Sequence, residues 1–314
     1  MTGPIRRWST EGLARAEEWT RAYAPTAVVI RQDGQPAAAW GEPAHKVNVR
    51  SVRKSLLSAL YGIAIADGTI RLDQTLDELG IDDRPPSLSE AEKTATIRDL
   101  LMGRSGVYHP AAYESLRMAA NRPPRGSHPP GSFWYYNNWD FNALGGIYRR
   151  LAGQDVFDGF DERVAKPIGM QDYSPSDGAF AYDPCSDFPA YTMRLSARDL
   201  ARFGELYLNR GVWAGNQIVP GHWVDDSTRP LSRADFGLDF GYLWWMLRTD
   251  DCGEQPALAG TFMALGLGGQ ALAVVPSLRL CVVQLVDVQE GQESIGGAQE
   301  FKVLLHRIAA AATG

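Results

Sequence analysis

The chain has 314 residues, 45% of them hydrophobic and 22% charged, an ordinary globular composition that supports a sizeable core in one large domain or two moderate ones. Its 31 basic and 37 acidic residues give a formal charge of 31 − 37 = −6 with no extended basic run, which argues against a nucleic-acid partner. No window reaches the roughly 18 apolar residues of a membrane span. The two N-terminal arginines lead into an acidic, amphipathic stretch where a secretory leader needs an apolar one, so a cytoplasmic protein away from membranes is expected.

Residues 8 to 23 place Trp8, Leu13, Ala16 and Trp19 at helical spacing, as on a surface helix packed against something. "TAVVIRQDGQPAAAW" follows, two short runs about Asp33-Gly34, a dipeptide that accepts positive φ and predicts a β-hairpin. "VRKSLLSALYGIAIAD" predicts an almost wholly apolar helix ending at Gly68. "TIRDLLMG" has a Thr96-x-x-Asp99 start and a Gly103 stop; "SARDLARFGELYLNRG" opens with Ser196-x-x-Asp199 and ends at Gly211. In the latter, Ala197, Leu200, Ala201, Gly204 and Leu208 form one stripe. The proline-rich stretches at 123–130 and 184–189 are expected as loops.

Toward the C-terminus, "QALAVVPSLRLCVVQLV" predicts a second hairpin about Pro276-Ser277, and "AQEFKVLLHRIAAAA" a terminal helix. One antiparallel sheet built from both ends of the chain and covered by the two terminal helices would bury these apolar faces. The expected fold class is α/β (α+β): a single unit over 1–314, with an α/β part of about 1–50 and 191–314 and a mainly helical part of about 51–190. Cys185, Cys252 and Cys281 are dispersed and odd in number, which suggests neither a disulfide framework nor a zinc site, and no metal or cofactor is expected.

Chemistry concentrates in "RSVRKSLL", where Ser51 precedes Lys54 by three residues as an apolar run begins. A serine hydroxyl is a poor nucleophile unless a base within hydrogen-bond reach takes its proton. Residues i and i+3 share a helix face, so the two side chains can meet. The helix N-terminus would favour developing negative charge, and burial among Leu56, Leu57, Leu60 and Tyr61 would disfavour the Lys54 ammonium. The plain alternative is a lysine that snorkels to water beside an ordinary helix serine.

"PGSFWYYNNWDFNALGG" adds tyrosines and asparagines between a Pro-Gly turn and a new helix. A tyrosine hydroxyl there can relay a proton to a leaving group and an asparagine amide can orient the lysine or a substrate carbonyl; the alternative is a core tyrosine beside a turn asparagine. Together these stretches resemble the serine β-lactamase and penicillin-binding-protein superfamily, most closely its class C-like branch of esterases, amidases and transacylases. "TIRDLLMGRSGV", "AKPIGMQD", "MRLSARDLARFGELYLNRGVW" and "GLGGQALAVVPSLRLCVV" resemble further segments of it, in order. The resemblance implies Ser51 as the acylated nucleophile, Lys54 as its base and Tyr136 as acid/base for the leaving group. Counting from Pro130-Gly131, and back from Phe141, selects Tyr136 and Asn138 over Tyr135 and Asn137.

Where the family carries Lys-Thr-Gly or His-x-Gly, this chain has Ala264-Leu265-Gly266. Ala264 cannot pair with a carboxylate, which lowers the β-lactamase and carboxypeptidase readings. A backbone N–H at Leu267, beside Gly266, can still serve an oxyanion hole. Trp134, Tyr135, Trp139, Tyr242, Trp244 and Trp245 are candidates for the cleft wall, with core packing as the alternative for each; Tyr108 is a candidate for its rim and His109 is expected to be solvated. The expected function is a serine hydrolase acting on a small-molecule ester or amide, with transfer to an amine or alcohol acceptor as second choice. A catalytically silent binding protein is the rival from another class.

Overall fold

The computed structural model describes residues 8–288 and 297–312. Residues 1–7, which carry the two N-terminal arginines, lie outside them. Helix α1 (Thr10–Thr20) leads to strands β1 (Ala27–Gln32) and β2 (Gln35–Gly41), joined through Asp33 and Gly34 at φ of 50° and 75°. Positive φ at both positions is what a tight hairpin turn needs if its twist is to match the strands. Strand β3 (Lys46–Asn48) and a single 3-10 turn, Arg50–Val52, deliver the chain to α2 (Arg53–Ala66). Short helices α3 (Glu90–Lys93), α4 (Ile97–Leu101) and α5 (Leu116–Asn121) precede α6 (Asn138–Ala152) and α7 (Val156–Phe160). Strands β4 (Gly178–Asp183) and β5 (Ser186–Ser196) lead to α8 (Ala197–Leu208). The remainder holds β6 (Val212–Trp213), β7 (Asn216–Gln217), α9 (Gly221–Ser227), β8 (Ser232–Arg233), β9 (Leu238–Phe240), β10 (Trp245–Leu247), β11 (Phe262–Gly266), β12 (Gln270–Val275), β13 (Leu280–Leu285) and α10 (Ala298–Ala312).

The main sheet has eight antiparallel strands in the order β2-β1-β13-β12-β11-β10-β9-β8, so the two ends of the chain meet at the β1–β13 pair. Every residue of β12 and β13 is buried because both faces of the sheet are covered. On one face α1 and α10 pack together, with the Ser9 N–H donating to Ala311 O, and Tyr23 just past α1 donates to Gln284 Oε1 of β13. The other face carries α8. Its Gly204 lies against Leu272 and Cys281, and its Glu205 accepts from Arg31 Nε of β1 at 2.7 Å. The apolar stripe legible along residues 197–208 is thus a third sheet-covering surface, where the sequence had assigned that role to the terminal helices alone.

A second, three-stranded sheet, β3-β5-β4, stands beside the helices α2 to α7. The stretch at 184–189, expected as a loop, is strand from Ser186 onward. Pro189 is accommodated near a register shift in the β4–β5 pairing between Ala181 and Asp183, a bulge being where a strand tolerates proline.

Candidate active site

Ser51 sits between two anchored pieces. Upstream, β3 pairs with β5 and the Val49 N–H donates to Met193 O at 3.0 Å; downstream, the Val52 N–H closes the 3-10 turn on Val49 O at 3.1 Å. Arg50 takes a left-handed conformation, φ 52°, and its N–H donates to Asn48 Oδ1 at 3.0 Å. Non-glycine residues held at positive φ are uncommon and cluster at functional sites. Because the 3-10 turn precedes α2, the Ser51 hydroxyl caps no backbone N–H there.

Lys54, in the first turn of α2, is buried, with Nζ 3.1 Å from Ser51 Oγ, 2.8 Å from Tyr136 Oη and 2.9 Å from Asn138 Oδ1. The rings of Tyr136 and Phe141 lie 4.2 and 4.4 Å from the nitrogen. Burial, reinforced by the neighbouring Arg53 charge, holds the Lys54 pKa well below its ordinary value. As an amine, Lys54 has two N–H donors and one lone pair. Asn138 Oδ1 can only accept, so one N–H goes there, and the lone pair is left for the Ser51 or Tyr136 hydroxyl proton. Burial pushes Tyr136 up to about 12, so it stands as a phenol able to donate.

The double Tyr-Asn sequence is divided by the start of α6. Asn137 is the N-cap: its side chain accepts from the Trp139 N–H and donates to Val107 O and Asp140 Oδ1. Asn138, one residue on, turns to Lys54 and donates from Nδ2 to Tyr113 O at 2.7 Å. Tyr136 faces Lys54, whereas the Tyr135 hydroxyl donates to Met118 O of α5.

Strand β11 closes the opposite side. A Cβ on Gly266 would lie 2.7 Å from Val49 O and 3.2 Å from Arg50 Cβ, so only glycine lets β11 approach the Ser51 turn this closely. Leu267, immediately beyond, is 74% exposed. Ala264 is fully buried. Aromatic rings surround Tyr136: Phe141 at 5.0 Å, Trp245 at 5.2 Å, Phe240 at 6.1 Å and Trp134 at 6.5 Å.

Several aromatic candidates belong to the core. Trp244 packs against Tyr207 at 4.6 Å and Phe262 at 5.2 Å, consistent with its side chain pointing opposite to that of its strand neighbour Trp245. Tyr242 stacks on Trp223 and accepts from Arg98; Trp139 is fully buried and donates to Asp83 Oδ2 at 2.6 Å. Tyr108, expected at the rim, is interior, edge-on to Tyr135 at 5.9 Å. His109, expected to be solvated, is buried, with the Arg84 and Pro110 carbonyl oxygens each 2.9 Å from a ring nitrogen.

Sequence reasoning missed Tyr113, which has φ 64°. Its carbonyl holds Asn138, and its hydroxyl accepts from Asn48 Nδ2 at 3.1 Å and from Arg50. Its loop carries no periodicity that would have marked it. Among the described residues no group of three or more His, Cys, Asp or Glu side chains gathers as a metal site.

The family model described as Beta-lactamase matches residues 13–300. The chain belongs to the beta-lactamase family. An uncharacterised protein of Alkalihalophilus pseudofirmus is 26% identical over 279 residues, 82% of this chain and 76% of its own. Among solved structures, the D-alanine carboxypeptidase AmpC of Burkholderia cenocepacia is 18% identical with a TM-score of 0.68, covering 96% of this chain and 98% of its own. EstCE1, named as a hydrolase with promiscuous acyltransferase activity, is 17% identical with a TM-score of 0.66, covering 97% and 99%. At these identities the two structures share the fold with this member of the beta-lactamase family. Among the described residues no helix is long and apolar enough to cross a membrane.

Proposed function

We propose that this protein is a serine acyl hydrolase that cleaves a small-molecule ester or amide through an acyl-Ser51 intermediate. The observation that carries the proposal is the buried Lys54 side chain with its Nζ within hydrogen-bond distance of the Ser51, Tyr136 and Asn138 side chains. Lys54 takes the Ser51 proton as Oγ attacks the acyl carbonyl. The backbone N–H groups of Ser51 and Leu267 receive the oxyanion. The Tyr136 phenol protonates the departing alcohol or amine and regains its proton from the Lys54 ammonium, leaving Ser51 acylated. Water then attacks the ester, with the same groups returning the proton to Ser51 Oγ.

The substrate class follows from what surrounds the triad. Ala264 supplies no cation for a carboxylate, and the partly buried ring of Trp134 beside Tyr136 suits an apolar substituent. An amine or alcohol in place of water is the second reading, supported by the fold shared with EstCE1. The proposed setting is cytoplasmic, in keeping with free thiols at Cys185, Cys252 and Cys281. Incubation with p-nitrophenyl esters of graded acyl length, with and without added amines, tests these statements. Hydrolysis should release nitrophenolate, amine-dependent amide would favour transfer, and silence across the panel with no adduct by mass would leave a binding protein.

A further inference from the structure

We infer that Arg53 is a positioning residue of this site: its buried guanidinium fixes the Arg50–Ser51 peptide and maintains positive charge beside Lys54. The inference rests on the proposed role of Lys54 as base. Arg53 is among the largest fully buried side chains, 1% exposed. Its Cζ lies 5.5 Å from the Tyr113 ring centroid and 5.1 Å from that of Tyr191, so aromatic faces solvate part of the charge. One nitrogen, Nη1, donates to Arg50 O at 2.9 Å; Nε and Nη2 have no hydrogen-bond partner among the described residues. A buried guanidinium so poorly matched is expensive, and an apolar side chain of similar length would fill the space at lower cost. Retaining an arginine here calls for a reason beyond packing.

Two consequences of the geometry supply one. Arg50 O also accepts from the Arg53 backbone N–H, so two donors hold this carbonyl. The same peptide unit carries the Ser51 N–H, the proposed oxyanion donor, and follows a residue with left-handed backbone. Pinning the carbonyl therefore fixes the direction of the N–H.

The second consequence is electrostatic. The groups facing Lys54 are Ser51 from the turn, Tyr136 from the loop before α6, and Asn138 and Phe141 from α6, all uncharged. Arg53 is faced by Tyr113, Tyr191 and Arg50. The nearby carboxyl of α6, Asp140, is engaged by Ser105 and Asn137 instead, and burial pushes its pKa well above the usual carboxylate range. No acid among these neighbours offsets Arg53, and its charge adds to burial in lowering the Lys54 pKa.

The chain has five lysines, so the titration of Lys54 can be followed in the full-length protein labelled with ¹³C at lysine Cε, its resonance assigned by loss in Lys54→Met. In Arg53→Met, Lys54 should titrate at higher pH than in the wild type. On an accepted ester, kcat/KM on the rising acidic limb of the profile should fall about tenfold, more than its high-pH plateau, because the base must be deprotonated. Arg53→Lys should restore the titration by restoring the charge, while leaving the plateau lowered because the carbonyl loses its guanidinium anchor. A folded Arg53→Met protein with Lys54 titrating as in the wild type would overturn the inference; if that variant does not fold, Arg53→Gln serves the same comparison. The resonance reports on Lys54 whether or not any ester turns over, so loss of this inference and loss of the proposed activity are separate outcomes.

Discussion

Among the serines that stand ahead of helices in this molecule, Ser196 and Ser51 do opposite things. Ser196 precedes α8 directly, with Oγ accepting from the Asp199 N–H at 3.2 Å and donating to Asp172 Oδ2 at 2.6 Å. Its hydroxyl is consumed by structure. Ser51 lies within the 3-10 turn ahead of α2, caps nothing, and meets Lys54 Nζ. The same residue type at nearly the same position is a cap in one place and a candidate nucleophile in the other, because one extra tight turn carries the hydroxyl past the orphan N–H groups.

The contrast breaks most sharply on alanine substitution of each serine. Ser51→Ala should lower ester turnover by about 10⁵-fold, the scale for loss of a nucleophile, with an unchanged thermal transition. Lys54→Met should lower kcat by roughly 10³-fold while the transition holds or rises, since an apolar chain of similar length replaces a buried amine. Turnover and melting measured on one preparation check both. Tyr136→Phe should cost about 10²-fold, with the loss smaller for esters whose leaving group needs no proton, which a series of phenol and alkyl leaving groups would show.

Smaller effects sharpen the same comparison. Gly266→Ala should destabilise by about 1–3 kcal/mol and slow acylation, because the added methyl forces β11 away from the Val49–Arg50 backbone. Ser196→Ala should cost about 1 kcal/mol by denaturant titration and leave kcat/KM within about twofold of wild type. The wild-type pH profile is also fixed in shape. kcat/KM should rise as Lys54 loses its proton and then stay level until Tyr136, a phenol up to about 12, begins to ionise.

Local rules carried much of the fold. The Asp33-Gly34 hairpin, the Thr96 and Ser196 caps and the hairpin at Pro276 were legible because each is set by a few adjacent residues. What α8 covers was not, since its stripe shows a buried face without showing what buries it. The site divides the same way. Ser51, Lys54 and the Tyr136-Asn138 stretch carry a spacing and an apolar setting that chemistry can weigh. Tyr113 and Arg53 act through backbone shape and ring faces supplied by distant segments, and neither leaves a pattern along the chain. Trp244 and Trp245 show the limit from another side: adjacent in sequence, one lies in the core and the other against Tyr136.

The most direct measurement is intact and peptide mass spectrometry of the protein quenched during turnover of a slowly hydrolysed p-nitrophenyl ester. A single acyl increment localised to the peptide containing Ser51, absent in Ser51→Ala and retained in Ser196→Ala, is the predicted result. Turnover without an adduct at Ser51, or an adduct elsewhere that persists in Ser51→Ala, would contradict the account.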